Sequence, residues 1–131
     1  DWSSDVCSSD LVVLYTLRSD NNFIIKSITG FRSDFEIKKC YKEMKNIASE
    51  INQIFPNSKK ENYGPAIKPL DPSGKSTEKG ILFILANGSV AGISCIDYSK
   101  EYLKKYDWES DHMQIFLDTK EYDKWLREEA W

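Results

Sequence analysis

The chain has 131 residues, of which 40% are hydrophobic and 30% are charged. This length suits a single domain with one hydrophobic core. No apolar segment approaches the length of a membrane span, so we expect a soluble domain. The lysine-rich, alanine-poor composition suggests a bacterial source.

The first eleven residues read DWSSDVCSSDL, which is the translation of a common short-read sequencing adapter. We therefore expect residues 1–11 to be an artefact and residues 12–131 to form the native domain. Any start methionine, signal peptide or membrane anchor before Val12 would then be missing. Without this segment three of the 21 acidic residues are lost, which leaves 18 against 18 basic residues, and the net charge of −3 becomes zero. A neutral domain gives no reason to expect nucleic-acid binding.

The first part of the domain predicts a β-hairpin followed by a long helix. Two segments rich in β-branched and aromatic residues within 12–31 flank a polar turn. Ser33 and Glu36 form a capping-box pattern, which predicts the start of a helix. Apolar residues then recur at helical spacing over 37–55, and Pro56 ends the pattern.

A second hairpin is predicted around Asn87 and Gly88, because a type I′ turn requires positive φ at both central positions. A two-residue turn pairs Ala86 with Ser89 and fixes the register. One predicted face holds Leu82, Ile84, Ala91, Ile93 and Cys95, and the other holds Ile81, Phe83, Leu85 and Val90. Since both faces are apolar, we expect this hairpin near the centre of the sheet, with a helix on one face.

The remaining segments predict a short helix within 98–108, a strand over 112–117 and a last helix that Asp118 and Glu121 cap. We therefore expect an α+β fold with an antiparallel sheet of about five strands, in the order ββα-ββ-α-β-α. The long helix packs on one face of this sheet.

Cys40 and Cys95 are the two cysteines outside the expected artefact. Cys40 lies on the apolar stripe of the long helix, and Cys95 lies on one face of the second hairpin. If the helix covers that face, the two residues form a disulfide candidate, with Cα atoms no more than about 7 Å apart. A bridge would indicate an exported or periplasmic protein, whereas two buried reduced thiols are the alternative.

Gly74, Lys75 and Ser76 match the end of a phosphate-binding loop. The first glycine of that motif falls on Pro69, and no predicted strand precedes the segment. We interpret the match as chance within an exposed polar loop.

A second partial motif has the acidic spacing of a calcium-binding loop. Its acidic positions are Asp107, Glu109, Asp111 and Asp118. The sixth position, which requires glycine for a sharp turn, is His112. We interpret this segment as an acidic turn before a strand, and we expect no metal and no cofactor.

His112 is the only histidine in the chain. Acid–base catalysis would have to use it with a carboxylate such as Asp97 or Asp111. A lone histidine at the start of a strand is more often structural. A small hydrolase or lyase is therefore the alternative function, and a pocket that places His112 beside a carboxylate would favour it.

The segment 56–79 contains all four prolines. Long loops without secondary structure are usually functional or disordered. The predicted binding residues in this segment are Tyr63, Ile67, Leu70 and Lys75. The preferred function is a non-catalytic binding or interaction domain, whose partner is a protein or a small ligand. The sequence identifies neither that partner nor the oligomeric state.

Overall fold

The computed structural model describes residues 6–7, 10–33, 36–107 and 110–130. The strands in these ranges are β1 (Val6–Cys7), β2 (Asp10–Thr16), β3 (Ile25–Arg32), β4 (Lys59–Ile67), β5 (Thr77–Ile84), β6 (Val90–Asp97) and β7 (His112–Asp118). The helices are α1 (Ile37–Ile54), α2 (Lys100–Lys105) and α3 (Lys120–Glu128).

All strands join one antiparallel sheet in the order β1-β2-β3-β7-β6-β5-β4. Six of them have seven to nine residues, whereas β1 has two. The predicted α+β class and antiparallel sheet are confirmed. The expectation of about five strands is too low.

The strand that the sequence did not predict is β4, which lies inside the expected loop 56–79. It pairs with β5, and its register shifts between Tyr63 and Ala66, around Gly64 and Pro65. Proline is tolerated there because β4 is an edge strand, where one side needs no ladder hydrogen bonds. Gly64, Pro65 and several charged residues interrupt the alternation of apolar and polar residues by which a strand is recognised in a sequence.

The predicted helix over 37–55 corresponds to α1, which has 18 residues and ends before Pro56. Its N-cap is Glu36, whose side chain makes no capping hydrogen bond. The predicted capping box with Ser33 is therefore wrong. The buried stripe of α1 is Cys40, Met44, Ala48 and Ile51, and it packs on Ile81, Phe83, Ala91, Ile93, Cys95 and Met113 of the sheet.

The second hairpin forms from β5 and β6, but its register differs by one residue from the prediction. Ile84 lies opposite Val90, and the N–H of Gly88 donates to the carbonyl of Leu85 at 2.9 Å. Gly88 has a positive φ of 83°, but Asn87 does not, so the turn is not type I′. When the pairing of two strands shifts by one residue, the side chains of one strand that shared a face with given residues of its neighbour move to the opposite face. The residues of this hairpin that face α1 are therefore Ile81 and Phe83 together with Ala91, Ile93 and Cys95, instead of Leu82 and Ile84.

Helix α3 begins after Thr119, whose Oγ1 accepts a hydrogen bond from the N–H of Tyr122 at 3.3 Å. The predicted cap, Asp118, is instead the last residue of β7. It lies opposite Ser27 in the sheet and accepts a hydrogen bond of 2.5 Å from the Ser27 hydroxyl. The strand pairing therefore takes Asp118 away from the helix end.

The predicted proximity of Cys40 and Cys95 is confirmed. Their Cα atoms lie 6.0 Å apart, and the sulfurs form a disulfide bond of 2.07 Å between α1 and β6. Both side chains are fully buried. Such a pair is compatible with an oxidising location.

We expect deletion of residues 1–10 to leave the melting temperature unchanged within error. The predicted adapter origin of residues 1–11 implies that they were not selected to pack on this sheet, and β1 is a two-residue strand at its edge. Differential scanning calorimetry of the full chain and the shortened chain tests this. Deletion of residues 1–14, which removes most of β2, serves as the destabilising control. A fall of more than about 4 °C for the shorter deletion would contradict the expectation.

We expect replacement of Cys40 and Cys95 by Ala to lower the free energy of unfolding by about 2–4 kcal/mol. The bridge joins residues 55 positions apart, so it restricts a long loop in the unfolded chain. Urea denaturation of the double variant and the parent chain measures the difference. A difference below about 0.5 kcal/mol would show that packing alone holds α1 to β6.

Candidate functional site

The face of the sheet opposite α1 forms the floor of a cleft, and α3 lines one side of it. The cavity has a volume of about 340 Å³. Clefts of this size accommodate a small organic molecule when apolar walls carry a few convergent polar groups. The cleft is therefore the candidate site.

Strand pairing places four residues in one row across the floor of this face. Thr29 lies opposite Phe116, which lies opposite Gly92, which in turn lies opposite Leu82. Gly92 has no side chain, and a Cβ atom there would collide with the ring of Phe116. Glycine at this position thus allows the aromatic ring to lie across the sheet.

Gly80, a second glycine on the same face, leaves room for the ring of Tyr63 in the same way. A Cβ atom on Gly80 would lie 2.6 Å from Cε1 of the Tyr63 ring. The Tyr63 side chain therefore crosses from the edge strand β4 over β5. This brings its hydroxyl to Glu78, the second residue of β5.

Glu78 is the centre of a hydrogen-bonded cluster at one end of the cleft. Its Oε1 accepts hydrogen bonds from the Tyr63 hydroxyl at 2.9 Å and from Nε2 of Gln114 at 3.0 Å. Its Oε2 accepts a hydrogen bond from Nζ of Lys68 at 2.7 Å. The Lys68 and Glu78 side chains are only 19% and 16% exposed, so this ion pair is much less screened than a surface pair.

Burial by itself would raise the pKa of Glu78, but the nearby Lys68 and the hydroxyls of Tyr63 and Ser94 lower it below its usual value. Burial and the charge of Glu78 raise the pKa of Tyr63. At neutral pH the carboxylate is therefore ionised and the phenol is protonated. Ser94 Oγ, buried beside them, is the one buried polar side-chain atom in the described ranges that has no well-formed hydrogen bond.

The α3 side of the cleft carries aromatic and paired charged groups. The rings of Tyr15 and Tyr122 lie 5.2 Å apart, and burial raises the pKa of Tyr122 to about 12. Along α3, Nε of Arg127 donates to Asp123 at 2.9 Å. No described residue of α3 is fully buried, so this helix is only lightly packed on the sheet.

The four predicted binding residues of segment 56–79 do not lie together. Tyr63 lines the cleft. Ile67 and Leu70 are 65% and 60% exposed and lie outside the cleft lining. Lys75 forms an exposed ion pair of 2.7 Å with Glu101 of α2. The structure therefore supports only Tyr63 as a residue of the cleft.

The segment that resembles a phosphate-binding loop is closed by its own carboxylate. Asp71 accepts hydrogen bonds from the N–H groups of Ser73 and Ser76 at 2.9 and 3.1 Å. It also accepts from the hydroxyls of both serines and of Ser99, and these bonds, led by that from Ser76, lower the pKa of Asp71. These donors are consequently not available to a phosphate. A strand, β4, does precede the segment, contrary to expectation, but β5 follows it instead of a helix.

His112, the first residue of β7, contacts aromatic rings on the cleft face of the sheet. Its ring centroid lies 5.8 Å from that of Phe31 and 5.7 Å from that of Tyr98. Its Nδ1 lies 3.1 Å from the carbonyl oxygen of Ser110. The nitrogen that a carboxylate would orient in a catalytic pair therefore contacts the main chain.

In the described part of the chain, neither carboxylate proposed as a partner of His112 forms a hydrogen bond with its ring. His112 lies opposite Ile96, so the next residue, Asp97, points to the other face of the sheet. Asp97 and Asp111 both raise the pKa of Tyr41 on α1, after the larger effect of burial. Asp111 also accepts a hydrogen bond of 2.8 Å from the N–H of Tyr98. The structure does not bring His112 and Asp97 together.

The acidic residues with calcium-loop spacing do not converge in the described part of the chain. Asp111 precedes β7, and Asp118 ends it. Seven residues of extended chain separate their Cα atoms by roughly 20 Å. Glu109 lies outside the described residues.

Sequence reasoning missed Lys68, Glu78 and Gln114. Glu78 lies in the expected loop 56–79, outside the predicted strands. Gln114, in contrast, lies within the predicted strand over 112–117 among largely apolar residues, which is an unusual place for a group that is costly to bury. This signal could have indicated a polar site on one face. Lys68 could not have been found, because β4 was not predicted.

Comparison with protein-family models, curated proteins and solved structures gives no match to this chain. Within the described ranges, no helix combines the length and the apolar character needed to cross a membrane. The function is therefore inferred from the cleft itself.

We expect Glu78→Gln to lower the free energy of unfolding by about 2 kcal/mol at pH 7, because charge-assisted hydrogen bonds are lost. The pKa of Glu78 in the folded state lies below its ordinary value of 4.5. Its stabilisation is therefore present above that pH and is lost as the pH falls through the folded-state pKa. Urea denaturation at several pH values between 7 and 3 measures this. The difference in the free energy of unfolding between the variant and the parent should become smaller as the pH falls.

The matched control for this prediction is Glu101→Gln. Glu101 also pairs with a lysine at 2.7 Å, but both side chains are more than half exposed. We expect a change of less than about 0.5 kcal/mol at any pH. Equal effects of the two substitutions would contradict the structural importance assigned to Glu78.

Proposed function

We propose that this protein is a non-catalytic binding domain whose ligand site is the cleft between the sheet and α3. The observation that carries the proposal is the combination of an aromatic-rich cavity of about 340 Å³ with the polar cluster around Glu78. A pocket with apolar walls and a few convergent polar groups is the usual form of a small-molecule site.

The geometry favours binding over catalysis at this site. Glu78 accepts three hydrogen bonds and is stabilised as the carboxylate, so it is a poor general base. The hydrolase or lyase alternative requires His112 beside Asp97 or Asp111, and the side-chain contacts of these residues do not support that pair. The proposal therefore assigns no catalytic residue.

Segment 56–79 contributes to the proposed site through Tyr63 and Lys68, which reach the cleft from β4 and the residue after it. The exposed residues Ile67 and Leu70 are not needed for a ligand in the cleft. Substitutions at these two exposed positions therefore serve as controls for ligand binding in the cleft.

We further propose that the protein acts in an exported, oxidising location. The support is the buried disulfide between Cys40 and Cys95, since such bonds persist in oxidising compartments. Mass spectrometry of thiol-labelled protein from its source cells tests this. Quantitative labelling of both cysteines without prior reduction would contradict the proposed location.

A screen of small fragments by ¹H–¹⁵N NMR tests the binding function directly. We expect bound fragments to shift amide signals around Thr29, Gln114 and Leu126, which line the cleft on three different elements. Leu82→Trp introduces a large ring into the floor and should abolish these shifts. Ile67→Trp places the same ring on an exposed position and should leave them unchanged.

Two outcomes of that screen would contradict the proposal. If the shifts cluster around Ile67 and Leu70 and disappear when both are replaced by Ser, the binding surface is the outer side of segment 56–79. If a fragment is turned over and His112→Ala abolishes the turnover, the enzyme alternative replaces the binding function.

A further inference from the structure

We propose that the cleft binds an uncharged molecule that has a flat apolar ring and a polar group able both to donate and to accept hydrogen bonds. This inference rests on the cleft being the ligand site. It follows from the charges, the hydrogen-bonding capacity and the rings that line the cavity.

The cleft disfavours an anion because its two cations already have partners. Lys68 is paired with Glu78 at 2.7 Å, and Arg127 is paired with Asp123 at 2.9 Å. Asp118 adds a third carboxyl group to the lining. An anionic ligand would meet two cations whose charges are already balanced by carboxylates, and it would lie close to acidic side chains, which opposes binding.

A cation is not favoured either, because the carboxyl groups of the lining are occupied. Glu78 accepts three hydrogen bonds, and Asp123 is engaged by Arg127. Asp118 is only 3% exposed, bonds the Ser27 hydroxyl, and has a pKa raised chiefly by burial. A cation would lose its hydration without gaining a vacant carboxylate.

The polar end of the cleft can still bond an uncharged group. After donating to Glu78, the amide of Gln114 retains one N–H and its carbonyl oxygen, and the ammonium of Lys68 retains two N–H groups. The Tyr63 oxygen retains lone pairs. Donors and acceptors thus lie side by side, as an amide or a hydroxyl group requires.

The rest of the lining fits a ring. Phe31 and Phe116 lie on the floor, Tyr15 and Tyr122 stand at one side, and Leu82 and Leu126 add aliphatic surface. Aromatic side chains favour offset or edge-to-face contact with another ring. A ligand with its ring among these residues can direct its polar group toward Gln114 and Tyr63.

Triplets of ring compounds that differ mainly in charge test this ligand class. The first triplet is 4-hydroxybenzamide, 4-hydroxybenzoate and tyramine, which are respectively neutral, anionic and cationic at pH 7 and are similar in size. Titration of the full chain at pH 7, followed by ¹H–¹⁵N NMR, measures each dissociation constant from the signals of Thr29, Gln114 and Leu126. We expect the neutral member to bind about tenfold or more tightly than either charged member.

The outcomes separate this inference from the proposed function. Equal or tighter binding of a charged member in the cleft overturns the ligand class but leaves the cleft as the binding site. If no member of any triplet shifts the cleft signals, the ligand class and the proposed site both fail.

Substitution of Glu78 provides an independent arm. Glu78→Gln leaves Lys68 without its counter-charge, so the anionic member should gain about tenfold in affinity. Glu101→Gln, in the exposed pair with Lys75, should change no affinity. If Glu78→Gln does not fold, Lys68→Met provides the reverse test, since it leaves Glu78 unpaired and should favour the cationic member. In the folded variant, an unchanged affinity for the charged member that is expected to gain overturns the inference.

Discussion

The structure depends on the packing of α1 against only one face of the sheet. The apolar stripe of α1 covers β5, β6 and β7 and is joined to β6 by the buried disulfide between Cys40 and Cys95. Alternation along the strands then directs Glu78, Gln114 and Phe116 to the other face. Only the lightly packed helix α3 lies on that side, and a cleft remains between it and the sheet.

The polar cluster shows how this arrangement tolerates a buried charge. Transfer of a carboxylate from water into a protein interior is costly unless donors replace the lost hydration. Tyr63 and Lys68 of segment 56–79 and Gln114 of β7 supply these donors. Because their hydrogen bonds depend on the pairing of β4, β5 and β7, the cluster specifies the arrangement of the strands and gives the cleft its polar end.

The sequence predicted those features that arise from local patterns. The amphipathic spacing over 37–55 identified α1, and the placement of Cys40 and Cys95 on facing apolar surfaces identified their pairing. The hairpin register was wrong, because positive φ at Gly88 alone gives a different turn from that predicted for Asn-Gly. The site was largely missed, since it depends on β4, whose pattern is interrupted by Gly64 and Pro65. Tyr63 was predicted as a binding residue of a loop, whereas it lies in β4 and lines the cleft.

We propose that the cleft opposite α1 is the ligand site. Intermolecular nuclear Overhauser effects between a bound fragment and protein side chains measure this most directly. We expect contacts from the fragment to Leu82, Phe116 and Leu126, which surround the cavity. Contacts confined to Ile67 and Leu70, or to side chains on the α1 side of the sheet, would contradict it.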